Sequence, residues 1–318
     1  KMSKIYSLDS LMRKGSTLNK KRLSLKGIRN FKIDITNYSK ISRLQKFDLV
    51  IDCCAEPAIE ASKKDPDRVF KTNLLGTFNI LKKCIKDKSN LIFLSSSRVY
   101  SIKKLREIIN KKKLIKPIKI KKLINENFET SSASSLYGFT KFSSEKLILE
   151  LFFGTNLKYI INRFGVIAGP WQFGKQDQGF IPLWVAKHFL KRKLSYIGFG
   201  GYGHQVRDIL HINDVCEIIK LQIKNLNKIN NDVFNIGGGF KNKISLKDLT
   251  IKCQKLTKNK IKFNKKPKTS IFDIPYYVSD NKKVSKTYKW KPSYSLEKIL
   301  DDILIWLSMN KEVWKFFK

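Results

Sequence analysis

The segment SSLYGFTKFSSEK, residues 134–146, places a tyrosine and a lysine four residues apart. In a helix, this spacing puts Tyr137 and Lys141 on the same face, one turn apart. Such a pair is either a packed ring beside a lysine stem or an acid/base pair in a binding site. The sequence on either side of the segment bears on which of the two it is.

Short apolar runs alternate with helical patterns around this segment. Residues 46–55, 90–97 and 158–170 open as strands, whereas residues 69–86 have a helical period. This alternation predicts an α/β fold in which helices flank a parallel sheet. Because ligands of open parallel sheets lie beyond the carboxyl ends of the strands, we expect Asp9, the serines at 95–97 and the start of the Tyr137 helix to share one rim.

The character of the chain changes after Gly169. Residues 169–180 are rich in Gly and Gln and predict a loop that holds a polar ligand. Ser245 and Asp248 predict the capped start of a later helix. We therefore expect a nucleotide-binding domain over residues 1–165 and a smaller α/β lobe over 166–318. The lysine-rich stretch 103–125 is interpreted as a solvated surface insertion.

The composition limits the class of protein. The 318 residues carry a formal net charge of +39, with 65 Lys and Arg against 26 Asp and Glu. The lysines are scattered among many Ile and Asn residues, which favours a compositional bias and a solvated surface as the origin of the charge. A specific nucleic-acid partner is the less favoured interpretation, because no motif for one is recognised. The sequence shows no bilayer-spanning run, signal peptide or metal-ligand spacing, so we expect a cytoplasmic protein without a metal site.

Further stretches resemble the extended short-chain dehydrogenase/reductase superfamily, in that superfamily's order. They are NLLGTFN (73–79), SSSRVY (95–100), QVRDILHINDV (205–215) and FNIGGG (234–239). Together they cover nearly the whole chain and imply a Rossmann-like, doubly wound sheet with a smaller substrate lobe. Within the NAD-dependent epimerase/dehydratases, INRFGVIAGPWQFGKQDQG (161–179) is the stretch most specifically similar to CDP-paratose 2-epimerases.

The resemblance implies an acid/base role for the opening pair. Tyr137 is then the general acid/base, and the positive charge of Lys141 favours its phenolate form. Lys141 also holds the nicotinamide ribose, and the hydroxyl of Ser96 bonds the reacting sugar oxygen.

The resemblance also implies a cofactor site for NAD. Asp9 follows the first strand, where a carboxylate accepts bonds from the adenosine ribose and disfavours the 2′-phosphate of NADP. The alternative for Asp9 is a turn residue. The other positions that match the cofactor site are Asp34, Ile35, Ala55, Glu56 and Asn73, together with Tyr137 and Lys141.

A nucleotide-sugar substrate is implied by Arg207, which matches the arginine on the substrate diphosphate. The alternative for Arg207 is a salt bridge to Asp208 or Asp214. Further substrate-binding candidates are Ser97, Arg98, Lys175, Gln178 and Gln205. Trp171 and Trp184 are interpreted as core residues, with stacking on the nucleotide base as the alternative.

Two departures from the superfamily pattern stand out. The Gly-rich loop that follows its first strand is absent, so we expect the first βα unit to be missing and the chain to be a fragment. Dehydratases carry a carboxylate directly after the catalytic Thr, whereas Ser97 and Arg98 stand here, which favours an epimerase.

The sequence thus predicts a homo-oligomeric, NAD-dependent epimerase of a CDP-hexose that acts through a transient keto sugar. By resemblance the inverted carbon is the second of the hexose, and the role lies in lipopolysaccharide O-antigen synthesis. The alternatives are another nucleotide-sugar epimerase, a 4,6-dehydratase relative, a non-catalytic dinucleotide-binding protein, or a nucleic-acid-binding protein.

Overall fold

A computed structural model describes residues 4–132, 134–175 and 178–317. Its strands are β1 Tyr6–Asp9, β2 Arg29–Lys32, β3 Leu49–Asp52, β4 Asn90–Ser96, β5 Tyr159–Phe164, β6 Val166–Ala168, β7 Leu194–Ile197, β8 Val206–His211, β9 Asp232–Ile236, β10 Lys243–Ser245, β11 Phe263–Lys266 and β12 Tyr276–Tyr277. Its α-helices are α1 Ser16–Leu25, α2 Tyr38–Ser42, α3 Ile59–Lys64, α4 Pro66–Phe70, α5 Gly76–Asp87, α6 Ile102–Glu107, α7 Leu136–Phe152, α8 Phe180–Phe189, α9 Ile212–Asn225, α10 Leu246–Thr257, α11 Lys282–Tyr288 and α12 Leu296–Met309.

Parallel strands form the centre of the fold, as the sequence predicted. The four-stranded sheet has the order β3-β4-β5-β9, and β1 pairs with β2 in a separate parallel pair. Leu91, Ile92 and Phe93 of β4 are fully buried, which is expected of a parallel strand covered by helices on both faces. The α/β class is therefore confirmed.

A second, smaller set of strands comes from the C-terminal half. β8 pairs with β6, β10 and β12, and β7 pairs with β11. The chain passes from the larger sheet to this set between β5 and β6, at Gly165. β9 returns from the C-terminal half to pair with β5, and the division of the chain at residue 165 stays a prediction.

Side-chain caps fix several helix starts. The Ser245 hydroxyl accepts a hydrogen bond from the Asp248 amide over 3.1 Å at the start of α10, where the sequence predicted this cap. The helix predicted over 69–86 is interrupted, because a π-helical turn, Lys71–Leu75, separates α4 from α5. Hydrophobic periodicity does not reveal such a turn, since the apolar stripe continues through it.

The stretch 103–125 is not simply a solvated insertion, and that interpretation is corrected. Its lysines are exposed, but Leu114 and Ile124 are 2% and 0% exposed. Ile120 and Leu123 pack against a cluster that contains Tyr276. The stretch therefore covers an apolar surface of the smaller strand set.

None of the described helices is long and apolar enough to cross a membrane. Within the same residues, no group of His, Cys, Asp and Glu could hold a metal ion.

Candidate functional site

Two adjoining cavities lie at the carboxyl ends of the parallel strands. The first, of about 740 Å³, is bordered among others by Ser96, Ser97, Arg98, Tyr137, Lys141, Gln178, Gln205 and Arg207. The second, of about 920 Å³, is bordered among others by Asp9, Asp34, Ile35, Ala55, Lys175 and Gln178. The residues predicted from the sequence therefore divide between two connected spaces at one edge of the fold.

Tyr137 lies on the first turn of α7. The Ser135 hydroxyl caps this helix by accepting a hydrogen bond from the Gly138 amide over 3.0 Å. A Cβ at Gly138 would stand 2.1 Å from the carbonyl oxygen of Arg98, so only glycine allows this close approach. The contact holds Tyr137, which is 9% exposed, beside the strand end that carries Ser96.

Lys141 is buried one turn further along α7, with 2% of its surface exposed. Its Nζ donates to the carbonyl oxygen of Cys54 over 3.5 Å and lies 4.2 Å from the centroid of the Phe93 ring. Burial raises the pKa of the neighbouring Asp52, and the positive charge of Lys141 opposes that rise. The lysine thus places a fixed positive charge one turn from Tyr137, which an acid/base pair requires.

The end of β4 is tied to α7 through a buried ion pair that sequence reasoning missed. Ser95 donates to Glu145 over 2.5 Å, and Glu145 accepts three further bonds from the Arg163 guanidinium over 3.0, 3.1 and 2.7 Å. The next residue, Ser96, accepts from the Arg98 amide over 3.2 Å. Glu145 lies two turns beyond Tyr137, so the pair sets how α7 sits against the strand end.

The loop over residues 53–56 is held from behind by Asn73. The Asn73 carboxamide accepts from the Glu56 amide over 2.7 Å and donates to the Glu56 carbonyl over 3.2 Å. It also donates to the Thr140 hydroxyl over 3.2 Å. Asn73 therefore connects the loop that borders both cavities to the helix that carries Tyr137 and Lys141.

The predicted adenosine residues border the second cavity. Asp9 is exposed at the end of β1, and its carboxylate accepts from the Leu11 amide over 2.6 Å. The Asp34 carboxylate accepts from the amide and hydroxyl of Thr36 over 2.9 and 2.8 Å. Ile35 is 5% exposed and packs against Gly76 at the start of α5. Asp9 thus keeps one carboxylate oxygen for a ligand hydroxyl.

Arg207 borders the first cavity from β8. Its guanidinium donates to the Asp273 carboxylate over 3.3 Å and to the Ile274 carbonyl over 2.7 Å. The alternative partners suggested by the sequence are engaged elsewhere, because Asp208 accepts from backbone amides and Asp214 accepts from Ser293 and Tyr294. Asp273 has no local sequence signal, because it lies 66 residues from Arg207.

A second guanidinium, that of Arg98, stands in the same cavity and donates to the Phe272 carbonyl over 3.2 Å. Burial, with the like charge of Arg98 as a further cause, lowers the pKa of Arg207 to about 10, and Asp273 opposes this. Two desolvated guanidiniums with one carboxylate between them leave the cavity short of negative charge. An anionic group is the ligand that this arrangement favours.

The remaining candidates are divided between the cavities. Gln205 donates to the Ile197 carbonyl over 3.0 Å, while its buried Oε1 has no partner among the described residues. Lys175 borders the second cavity and not the first, which separates it from Arg207, contrary to its predicted place in the same pocket. Trp184 is 2% exposed and belongs to the core, as predicted, although one edge borders the first cavity.

The sequence matches the model of a known protein family. The model of the NAD dependent epimerase/dehydratase family matches residues 2–237. The chain belongs to this family.

Two known proteins illustrate what the chain is similar to in sequence. The chain is 27% identical to the CDP-paratose 2-epimerase of Salmonella typhi over 311 residues, which cover 94% of this chain and 90% of that protein. It is 25% identical to a UDP-glucose 4-epimerase of Mycoplasma genitalium over 268 residues, which cover 80% and 74% of the two chains.

Solved structures share the fold of this epimerase/dehydratase chain. The UDP-glucose 4-epimerase of Thermotoga maritima, solved with UDP-glucose, superposes with a TM-score of 0.80 at 22% identity over 96% of this chain and 91% of that one. The dTDP-glucose 4,6-dehydratase of Bacillus anthracis, solved with NAD, gives 0.78 at 22% identity over 99% and 91%. The Rossmann-like fold expected from the resemblance is confirmed.

Proposed function

We propose that this protein is an NAD-dependent nucleotide-sugar epimerase whose substrate is a CDP-hexose. One observation carries the proposal: Ser96, Tyr137, Lys141 and Arg207 border a single cavity. That cavity adjoins a second one whose rim presents the carboxylates of Asp9 and Asp34. A hydroxyl-binding carboxylate and an acid/base pair are the groups that a dinucleotide and a sugar alcohol need at these two places.

The residues present fit NAD. Asp9 and Asp34 would hold the adenosine end, and Lys141 would hold the ribose next to the nicotinamide. When bound, NAD supplies a hydride acceptor that oxidises one sugar carbon and then reduces it from the opposite face. The carboxylate of Asp9 favours a ribose hydroxyl over a 2′-phosphate, and hence NAD over NADP.

Tyr137 removes and returns the proton of the reacting sugar hydroxyl in this scheme. The Lys141 ammonium favours the phenolate, and Ser96 orients the sugar oxygen between them. Arg207 and Arg98 neutralise the substrate diphosphate, so the sugar is held while its ring turns. The net change is inversion at one carbon without net redox.

The lack of a free carboxylate at the first cavity, among the described residues, favours epimerisation over dehydration. Among the described residues that border it, Asp273 is the only acid, and it is paired with Arg207. No free carboxyl therefore stands beside Tyr137 to eliminate water. The choice of CDP and of the second hexose carbon is supported by the similarity of residues 161–179 and by the relative from Salmonella typhi.

The experiment is incubation of the purified protein with CDP-paratose, with the sugar followed by NMR and NADH followed by absorbance. We expect interconversion of the second-carbon epimers without accumulation of NADH. Turnover of UDP-glucose alone would remove the CDP assignment, and loss of water from the sugar would replace the epimerase by a dehydratase. Tyr137→Phe serves as the inactive control.

We also propose that the protein forms a homodimer through α7. Two large apolar side chains of this helix are exposed, Phe139 at 52% and Leu149 at 36%, and Phe153, which directly follows the helix, is 87% exposed. Large exposed apolar side chains mark surfaces at which copies of a chain can associate. Light scattering should give twice the monomer mass, and Phe139→Ser with Phe153→Ser should give a monomer; a monomeric wild type would contradict this.

A further inference from the structure

The passage between the two cavities is bordered by a small set of residues. The described residues that border both cavities are Arg13, Cys53, Ala55, Gln172, Gln178. Arg13 is the only one of these that carries a charge. The sequence motifs did not single it out, because it lies in the turn that follows β1.

Three contacts tie this turn and the helix after it to Trp171, Phe173 and Gln178. The Arg13 Nη2 donates to the Gln178 carboxamide oxygen over 2.8 Å. Gly15 has a φ of +92°, and a Cβ at this position would lie 2.3 Å from the ring of Phe173. The guanidinium of Arg22 lies 4.0 Å from the centroid of the Trp171 ring. The turn therefore holds Arg13 in the passage and not out in solvent.

The proposed function gives this passage a defined ligand. Adenosine in the second cavity and nicotinamide beside Tyr137 are joined by a diphosphate, which has to cross between the cavities. A guanidinium carries five N–H donors, and Gln178 takes one of them among the contacts of the described residues. Arginine binds phosphate oxygens with paired, charge-assisted hydrogen bonds.

We propose that Arg13 binds the diphosphate of the dinucleotide where it crosses between the two cavities. The inference rests on the proposed NAD dependence. It assigns the diphosphate contact to a side chain that reaches in from the turn after β1. The bond to Gln178 holds the guanidinium in place before the ligand arrives, which lowers the cost of ordering it.

The test compares ligands that differ only in the phosphate. Adenosine, ADP and NAD are titrated into wild type, Arg13→Gln and Lys26→Ala, with calorimetry for the nucleotides and ligand-observed NMR for adenosine. We expect Arg13→Gln to weaken ADP and NAD by about tenfold or more, the scale of a lost charge-assisted contact, and to leave adenosine unchanged. Lys26→Ala removes an exposed charge of the same sign, remote from both cavities, and should change nothing.

The outcomes separate this inference from the proposed function. Wild type that binds no NAD overturns the cofactor itself. Wild type that binds NAD, with ADP affinity unchanged in Arg13→Gln, overturns only the role of Arg13. Equal loss of adenosine and ADP marks Arg13 as merely structural, and this also overturns the inference. If Arg13→Gln does not fold, Arg13→Lys is measured instead. It keeps the charge but loses the paired hydrogen bonds, so its ADP affinity should lie between that of wild type and a tenfold loss; unchanged ADP affinity would overturn the role of Arg13.

Discussion

Tyr137 contributes a hydroxyl that forms no side-chain hydrogen bond among the described residues, although its ring is buried beside Ser96. Tyr137→Phe keeps the ring packing, so we expect a melting temperature close to that of wild type. Turnover of the CDP-hexose should fall at least ~100-fold, the usual contribution of a positioned acid/base. Lys141→Met should also lower turnover, because it removes the buried cation one turn from Tyr137. Full activity in Tyr137→Phe would leave the two residues as helix neighbours without a catalytic role.

Arg207 is remote from the reacting carbon if it binds the substrate diphosphate. Arg207→Ala should therefore raise KM strongly and change kcat little, at a cost of about 1.5–3 kcal/mol for a lost charge-assisted contact. Asp273→Asn is the comparison variant, because it removes the carboxylate that is paired with Arg207 and should have the opposite effect on substrate binding. It should leave KM unchanged or lower it. A collapse of kcat at unchanged KM in Arg207→Ala would place this residue in the chemistry instead. Steady-state kinetics on the three proteins measure both quantities.

The positions of single residues were predictable where the pattern lies within a few neighbouring residues of the sequence. Tyr137 and Lys141 are one helical turn apart, and Ser96 ends an apolar run, so the sequence places them at one rim; their roles follow from the family resemblance and stay predictions. Arg13 and Gln178 are 165 residues apart, and their contact depends on how two loops meet in space. No local pattern encodes such a pair.

At the scale of elements, α7 is joined to β5 by the pair Glu145–Arg163, whose side chains are 3% and 8% exposed. Glu145→Gln leaves Arg163 buried without its counter-charge, which costs about 3–5 kcal/mol. Unfolding in urea should show this loss. The matched control is Glu217→Gln, which breaks an exposed pair with Lys220 and should cost ~0–1 kcal/mol. Equal effects of the two substitutions would mean that the buried pair does not hold α7 in place.

The type of each helix or strand was predicted better than the way it packs. The alternation of periods identified the strands around β4 and the helical stretch that contains most of α5, because burial on a sheet and on a helix leaves different repeats. It did not show that residues 103–125 cover Tyr276, since this contact joins segments that are far apart in the sequence. The many exposed lysines of this stretch favoured its interpretation as a solvated insertion, although its apolar residues are packed.

At the scale of the whole molecule, buried neutral histidines link stability to pH. Burial lowers the pKa of His188 and His211 below the ordinary value of 6.5. As the pH falls below about 6.5, the unfolded chain takes up protons that the folded chain resists, so this contribution to stability is lost on acidification. His211→Ser keeps an acceptor for the Asn213 amide at the start of α9. Its melting temperature should fall less than that of wild type between pH 7 and about pH 5.5; an identical or steeper fall would contradict the role of His211.

The return of β9 to the edge of β5 has a consequence for synthesis on the ribosome. About 70 residues separate the end of β5 from the start of β9. At the usual elongation rates these residues take roughly 4–14 seconds to add. Throughout that interval the hydrogen-bonding edge of β5 has no neighbour on one side, and an open edge is a template for pairing with another chain. The nascent protein therefore passes through a period in which chaperones have a defined strand to protect, and slower translation of residues 165–231 would lengthen it.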